Sequence, residues 1–508
     1  MSTTAREEGG SQEPDGPPQP PSLHRLGGAT RWTGGATAFT QVLRLGTNLV
    51  LARLLTPADF GVVAAALIVV VFLDQLRDFG TGSALVQRSS LSKSLINSVF
   101  WLNAALGLLL GGLLALCASP ISSLLGQPSS VGVLRMFGLI TVVTSVGLVH
   151  RALLRRDLRF GELAQGVMFD AVGTAIVSIA LALAGLGAWS IVLGTLTGAV
   201  ISTLWAWYRQ HWRPSGFGTL ADLRSVSRFS LNLVVANLIW FVAMGQADKI
   251  IISRILGLDA LGTYSLAQRS VTYSLTSVRD VVGQVIYPAL SRSAGDEQRQ
   301  RRLFTRASGA VALLLFPATA GLACVAQPLV PIVVGDGWPD LPLLVAIMAP
   351  AGAIQAVSGL CGHLFTARGL AHWTLRWGAG QAVVFVIAFL VGARWGVIGV
   401  AVGYAVAALL VAPVGTWVAS RLIGLRYSAY LRAMAPGTVA ALLTVAVAFP
   451  LARLPLQVGW AVAAAVLAAI GVNAIVALVW QPASARDLVT LVRLRRRSPR
   501  DETREGRR

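Results

Sequence analysis

The sequence predicts an all-α integral membrane protein of about fourteen transmembrane helices, arranged as two parallel six-helix lobes with two extra helices. Three observations carry that expectation. Of 508 residues, 55% are apolar and 13% charged, with a mean hydropathy of +0.68, whereas a soluble chain carries about 25% charged residues. Apolar runs recur from end to end, each of about 20 residues, the length a helix needs to cross a hydrocarbon layer of about 30 Å. And one stretch is written twice. LVLARLLTPADFG (49–61) and IIISRILGLDALG (250–262) each place an arginine, Arg53 or Arg254, eight residues before a glycine, Gly61 or Gly262, at an offset of 201.

The elements follow in order. Residues 1–30 are rich in Pro, Gly and charge, cannot bury enough surface to fold, and read as a disordered tail. No apolar segment precedes the first span, so the tail is not a signal peptide. Spans are expected near 32–53, 60–84, 95–118, 131–150, 166–186 and 188–208, which make a first lobe over 31–212. A second lobe over 213–425 takes spans near 229–253, 262–287, 307–327, 341–365, 375–393 and 396–420. Two further helices, near 433–451 and 459–480, occupy 430–481, and residues 482–508 form a basic tail.

The net charge of +20 is placed, not scattered. Of 42 Lys and Arg, 32 fall in the termini and the even-numbered connections, four in the odd-numbered connections and six inside spans. This bias puts both termini in the cytoplasm, in a multi-pass protein of the cell membrane. It sets topology and meets anionic lipid heads, which leaves no separate role for nucleic acid. The three cysteines, Cys117, Cys324 and Cys361, lie in or beside apolar segments with no CxxC or Cys/His spacing, so neither a metal nor a disulfide framework is expected.

The repeat does not end at the glycine. Arg77-Asp78 is matched by Arg279-Asp280, LCASPISSLLG (116–126) by CVAQPLVPIVVG (324–335), LLRRDL (153–158) by FTARGL (365–370), and GAWSIVLG (187–194) by WGVIGVAVG (395–403). The shift drifts from 201 to about 212. Each copy holds six spans, so both enter the membrane from the same side, an arrangement common in secondary transporters with the substrate route between the halves. The largest outward connection, QPLVPIVVGDGWPD (327–340), is 14 residues, and the inward ones are longest at 6/7 and 8/9, about 20 each. No extramembrane catalytic domain fits, and no phosphate-binding loop, nucleophile elbow or metal-binding helix motif is present. The chain is therefore not expected to be an enzyme or to carry a cofactor.

Ionisable residues in mid-bilayer cost about 2.5–3.5 kcal/mol each on insertion scales, and persist where they face a cavity or a partner. Span 1 places Thr37, Gln41, Arg44 and Asn48 on one stripe, and span 2 does the same with Asp74, Arg77, Asp78 and Thr81. Span 7 places Asn237, Met244 and Asp248 on one side, with Gln246 and Lys249 turned away. Span 8 aligns Arg269, Tyr273, Thr276 and Asp280, with Arg279 about 80° round the helix. Equivalent helices of the two halves facing one axis would line a single central cavity. Arg44, Arg77, Arg269, Arg279, Lys249, Gln41 and Asn48 are then candidate substrate contacts. Asp74, Asp78, Asp248 and Asp280 are candidate ion- or proton-responsive groups. The competing reading is structural: Asp74 with Arg77, and Arg279 with Asp280, are neighbours that could lock their own helices. Arg44 has no acid within one turn, so its partner must come from elsewhere. Arg53 and Arg254 stand at helix ends and read as caps or snorkelling side chains.

The run LARLLTPADFGVVAAALIVVVFLDQLRDFGTGSALVQR (51–88), with ADKIIISRILGLDALGTYSLAQRSV (247–271) and YPALSR (287–292), resembles polysaccharide exporters of the Wzx and teichuronic-acid-exporter type. These belong to the multidrug/oligosaccharidyl-lipid/polysaccharide superfamily. The resemblance covers about residues 30–425. It implies a flippase that moves polyprenyl-pyrophosphate-linked oligosaccharide to the outer leaflet, with spans 1, 2, 7 and 8 lining the cavity. It also implies coupling to H+ or Na+, and polymerase or assembly proteins as partners. Two related readings stay open, a small-molecule exporter of the multidrug branch and a peptidoglycan-precursor flippase. A scaffold without transport would not require charges in mid-span.

Overall fold

The computed structural model describes residues 23–78, 85–86, 91–217, 219, 246–293, 295–453 and 458–480. Every regular element among them is helical. In the first copy these are α1 (Leu23–Leu54), α2 (Pro57–Asp78), α3 (Lys93–Leu116), α4 (Ala118–Leu124), α5 (Val131–Val146), α6 (Leu148–Arg156), α7 (Phe160–Leu183) and α8 (Ala188–Arg209). In the second they are α9 (Ala247–Ile255), α10 (Leu258–Arg292), α11 (Glu297–Val334), α12 (Leu341–Ser358), α13 (Leu360–Ala367), α14 (Ala371–Gly392) and α15 (Gly396–Leu422). The extra pair is α16 (Tyr427–Leu451) and α17 (Val458–Trp480). Ten helical segments among the described residues are long and apolar enough to cross a membrane.

Several boundaries differ from the sequence expectation. Helix α1 begins at Leu23, inside the expected tail, because no proline after Pro21 removes a backbone donor and interrupts hydrogen-bond propagation from the span. The expected 8/9 loop is mostly helix: α10 and α11 run past the apolar core, leaving a turn at 293–296 that Asp296 caps by accepting from Arg299 N at 2.9 Å. Most of span 7, with Asn237 and Met244, lies outside the described residues, as does Thr81. The expected spans 4 and 10 are each broken once, at Gly147 and Gly359, which are 212 residues apart and thus occupy the same place in the repeat.

The helices pack in the same order in both copies. In the first, α3 packs on α5, α2 on α5, α5 on α8, and α7 on α8. In the second, the equivalent pairs α11 on α12, α10 on α12, α12 on α15, and α14 on α15 recur. The extra pair α16 and α17 packs against α11. Turns recur as well. Helix α6 closes with Arg159 N donating to Leu154 O at 2.9 Å, and α13 closes with Leu370 N donating to Phe365 O at 2.9 Å. The left-handed position of that motif is Gly369 (φ 73°) in the second copy but Leu158 (φ 55°) in the first. A side chain there costs about 1–2 kcal/mol. The Leu158→Gly variant is expected to unfold about 1 kcal/mol later in denaturant, and an unchanged or earlier midpoint would contradict this strain.

The two copies meet where the repeated sentence ends. Helix α2 crosses α10, and Gly61 and Gly262 sit at the crossing. A Cβ on Gly61 would overlap the carbonyl of Leu258; one on Gly262 would overlap the carbonyl of Pro57. Pro57 and Leu258 are themselves 201 residues apart, so each glycine meets the residue aligned with the other one's neighbour. Helix α2 starts here with a capping box: Thr56 Oγ1 donates to Asp59 Oδ2 at 2.7 Å, and Asp59 N donates back to Thr56 Oγ1 at 3.3 Å. The other Asp59 oxygen accepts from Ala188 N at 2.9 Å, so one carboxylate caps both α2 and α8.

A second reciprocal contact closes the same end. Trp338 Nε1 donates to Ala52 O at 2.7 Å, and Gln127 Nε2 donates to Ser253 O at 3.0 Å. Ala52 and Ser253 are repeat mates at offset 201, and Gln127 and Trp338 each stand shortly after the glycine that closes a matched segment, Gly126 or Gly335. Ser253 Oγ donates to Leu125 O at 3.1 Å, Arg53 caps the end of α11 at Ile332 O, and Phe60 meets Trp338 edge to face at 5.3 Å. The halves are thus laced together at the odd-loop end of the bundle.

Candidate functional site: a cavity between the two halves

Below the α2–α10 crossing, the halves enclose a cavity of about 350 Å³. Its two walls differ in chemistry. The first copy contributes Val63, Ala64, Leu67 and Val71 from α2, Phe137 from α5, and Ile191 and Thr195 from α8. The second contributes Gln246, Lys249, Ser265 and Arg269. One wall is apolar apart from a hydroxyl; the other carries two cations, an amide and a hydroxyl.

Gln246 (φ −147°, ψ 8°) stands at the N-terminus of α9, which begins at Ala247. Lys249 Nζ donates to Gln246 Oε1 at 3.1 Å across that first turn. Asp248 points the other way. It is buried, and accepts from Tyr264 O–H at 3.0 Å, Gln268 Nε2 at 2.8 Å and the Lys249 amide at 2.8 Å. The sequence reading put Asp248 on the polar face and turned Gln246 and Lys249 away. The structure reverses this: Gln246 and Lys249 line the cavity, and Asp248 ties α9 to α10. The stripe is drawn with Asn237 and Met244, which lie outside the described residues, whereas the packing of α9 on α10 decides where Asp248 and Lys249 point.

The remaining candidates are placed elsewhere. Arg44 of α1 finds its acid on α7, with Nη2 2.8 Å from Asp170 Oδ2. Arg77 lies 3.1 Å from Asp74 and also donates to Thr144 Oγ1 and, at 3.4 Å, to Thr141 O on α5. Arg151 of α6 donates to Thr144 O at 2.6 Å. The break at Gly147 frees that end of α5, and Arg151 takes one of its carbonyls. A polar cluster therefore runs through the first copy, and Arg151 and Asp170 belong to it although the residue-by-residue reading left both outside the site. Arg279 binds its own neighbour, through Nε at 2.9 Å and Nη2 at 2.8 Å to Asp280 Oδ1. Gln41 is exposed and Asn48 half-buried on α1. The side chains of Thr37, Asp78, Tyr273 and Thr276 lie outside the described residues.

The Arg44–Asp170 pair gives a direct test. Arg44→Ala and Asp170→Ala are each expected to lower stability by about 1 kcal/mol, with the double variant no worse than either single one. Strictly additive losses would show that the two side chains do not interact.

Comparison with known proteins agrees with this architecture. Residues 50–342 match a family model described as "Polysaccharide biosynthesis protein". The chain is 25% identical to the lipopolysaccharide biosynthesis protein WzxC of Escherichia coli K12 over 377 residues, 74% of this chain and 76% of that one. It is 24% identical to the teichuronic acid biosynthesis protein TuaB of Bacillus subtilis over 408 residues, 80% and 84% of the two chains. It is 30% identical to the succinoglycan biosynthesis transport protein ExoT of Rhizobium meliloti over 317 residues, 62% and 64%. Among solved structures, the lipid II flippase MurJ in an inward closed conformation superposes with a TM-score of 0.73 at 14% identity, covering 90% of this chain and 99% of that one. An inward-facing multidrug transporter of the MOP superfamily gives 0.58 at 17%, covering 77% and 96%. The fold is the one these transporters share. The family model takes in more than half of the sequence, from the Arg53 turn through the whole cationic wall, and the chain belongs to the polysaccharide biosynthesis protein family.

Proposed function

We propose that the protein moves a lipid-linked oligosaccharide, or a related polysaccharide precursor on polyprenyl pyrophosphate, across the cytoplasmic membrane by alternating access. The observation that carries this reading is the two-faced cavity between the halves, with Lys249 and Arg269 opposite an apolar wall. A pyrophosphate taken into hydrocarbon without partners costs tens of kcal/mol, and cations in a low-dielectric site offset most of it. The guanidinium fork of Arg269 suits phosphate oxygens, Lys249 adds a point charge, and Gln246, Ser265 and Thr195 suit sugar hydroxyls. The lacing at the odd-loop end leaves the opposite end as the entry side, which is cytoplasmic if the arginine bias sets topology with both termini inside. Names of relatives, with their lipopolysaccharide, teichuronic acid and succinoglycan, support a glycan cargo. Asp248, which ties α9 to α10 directly beside Lys249, is the carboxylate we assign to a coupling ion.

The test is transport itself. The protein is reconstituted in liposomes with a labelled prenyl-pyrophosphate oligosaccharide, and arrival of the label in the opposite leaflet is followed. Arrival no faster than in protein-free liposomes overturns the reading.

A further inference from the structure

A second cavity, of about 380 Å³, lies at the arginine-rich end of the bundle, away from the transport cavity. It opens between the first turn of α7 and the last turn of α8, and is lined by Arg159, Gly161, Glu162, Gln165 and Arg209. Glu162 is shared by two guanidiniums, with Arg159 at 2.6 Å and Arg209 at 2.8 Å. Two cations against one carboxylate leave a net charge of one positive unit. Helix α7 points its N-terminus into the same place, adding the positive end of its dipole. Gly161 in its first turn has open space where a Cβ would stand.

The arginines are preset. Arg209 lies over the Trp205 ring, 5.4 Å from its centroid, and Trp205 Nε1 donates to Glu162 O at 3.0 Å. From Trp205 an apolar wall runs along the two helices into the membrane. Phe169 packs edge to face on Trp205 at 4.8 Å, and Tyr208 stands 5.9 Å from it. Val167, Phe169, Leu204 and Tyr208 are all exposed, Leu204 and Tyr208 by more than 60%. Aromatic side chains of this kind mark the headgroup level of a bilayer.

We propose that this cavity binds the phosphate of an anionic glycerophospholipid, with the acyl chains lying on the Phe169–Tyr208 wall. A soluble anion has no use for the wall. A zwitterionic headgroup brings its own cation beside Arg159 and Arg209, where it is repelled. Glu162 engages both guanidiniums when no lipid is bound, and the phosphate competes with it for them.

The full-length protein in phosphatidylcholine nanodiscs is titrated with phosphatidylglycerol, and lipid binding is read by native mass spectrometry and by the thermal unfolding midpoint. The wild type is expected to retain phosphatidylglycerol in preference to phosphatidylcholine and to gain midpoint with it. Arg159→Gln/Arg209→Gln is expected to weaken this response at least tenfold. Glu162→Gln, which releases both guanidiniums, is expected to retain it. Gly161→Leu fills the cavity without changing charge and is expected to lose the response, so the proposal stays testable if the double arginine variant does not fold. An equal response in wild type and Gly161→Leu overturns it. So does an equal response to phosphatidylcholine, or the same midpoint gain from millimolar inorganic phosphate alone, which would assign the site to a soluble anion.

Discussion

The Lys249→Gln/Arg269→Gln double variant is expected to transport a labelled prenyl-pyrophosphate oligosaccharide at least about 100-fold more slowly than the wild type. Charge-assisted hydrogen bonds are worth about 1.5–3 kcal/mol each. Losing two removes about 3 kcal/mol at the least, and each 1.4 kcal/mol is a factor of ten. Each single variant is expected to lose about tenfold. Gln removes the charge but keeps a polar group at each place, so the fold is expected to stay intact. Arg254→Gln is the control, since Arg254 is exposed at the odd-loop end and outside the cavity lining. Double-variant transport within twofold of wild type, with normal insertion, would mean that these cations do not handle the head group. A collapse in the Arg254 control as well would point to a nonspecific effect of charge on insertion.

The second large effect is expected at the crossing of α2 and α10. Gly61→Val and Gly262→Val each put a side chain into a backbone carbonyl of the opposite helix. A backbone cannot step aside as a long side chain can, so the helices must separate, at a cost of about 2–3 kcal/mol per substitution. Both variants should unfold at lower temperature and lose transport, while Gly112→Val, at a site with nothing within 4 Å, should do neither. A Gly61→Val protein with wild-type stability would show that the crossing tolerates a wider gap. The two glycines are close enough to share one crossing, so the losses of the double variant are expected to be less than additive.

What could be read from the sequence follows from what repeats and what is apolar. Span existence was legible, because about 20 apolar residues in a row admit few alternatives. The duplication was legible too, and it led to Gly61 and Gly262 before any packing was known. Their purpose was not, since a glycine in an apolar helix announces a close approach without naming the partner. Arg44 was correctly read as needing a distant acid, but Asp170 could be matched to it only once α1 and α7 were seen to pack. Helical-wheel reasoning assumes an unbroken helix, and the chain breaks register at Gly147 and Gly359. It also cannot say which face of α9 meets α10, which is what sets Lys249 in the cavity and Asp248 against Tyr264 and Gln268. The break at Gly147 created a carbonyl acceptor for Arg151, which by position alone counts as one more topogenic charge. A glycine directly before an apolar-then-basic run was the one signal that could have exposed it.

The lacing at the odd-loop end also fixes a population. Trp338, 2% exposed, and the hydrogen bonds to Ala52, Ser253, Leu125 and Ile332 are all lost if that end opens to water. At about 1 kcal/mol per hydrogen bond and about 2 kcal/mol for the indole, the closed state is favoured by about 6 kcal/mol. Left uncompensated, that gap would leave fewer than about one molecule in ten thousand open to the far side. Contacts formed at the other end, a bound cargo or a coupling ion must supply nearly all of that difference. The odd-loop end is therefore a latch, and a transport cycle has to break it and remake it once per turnover.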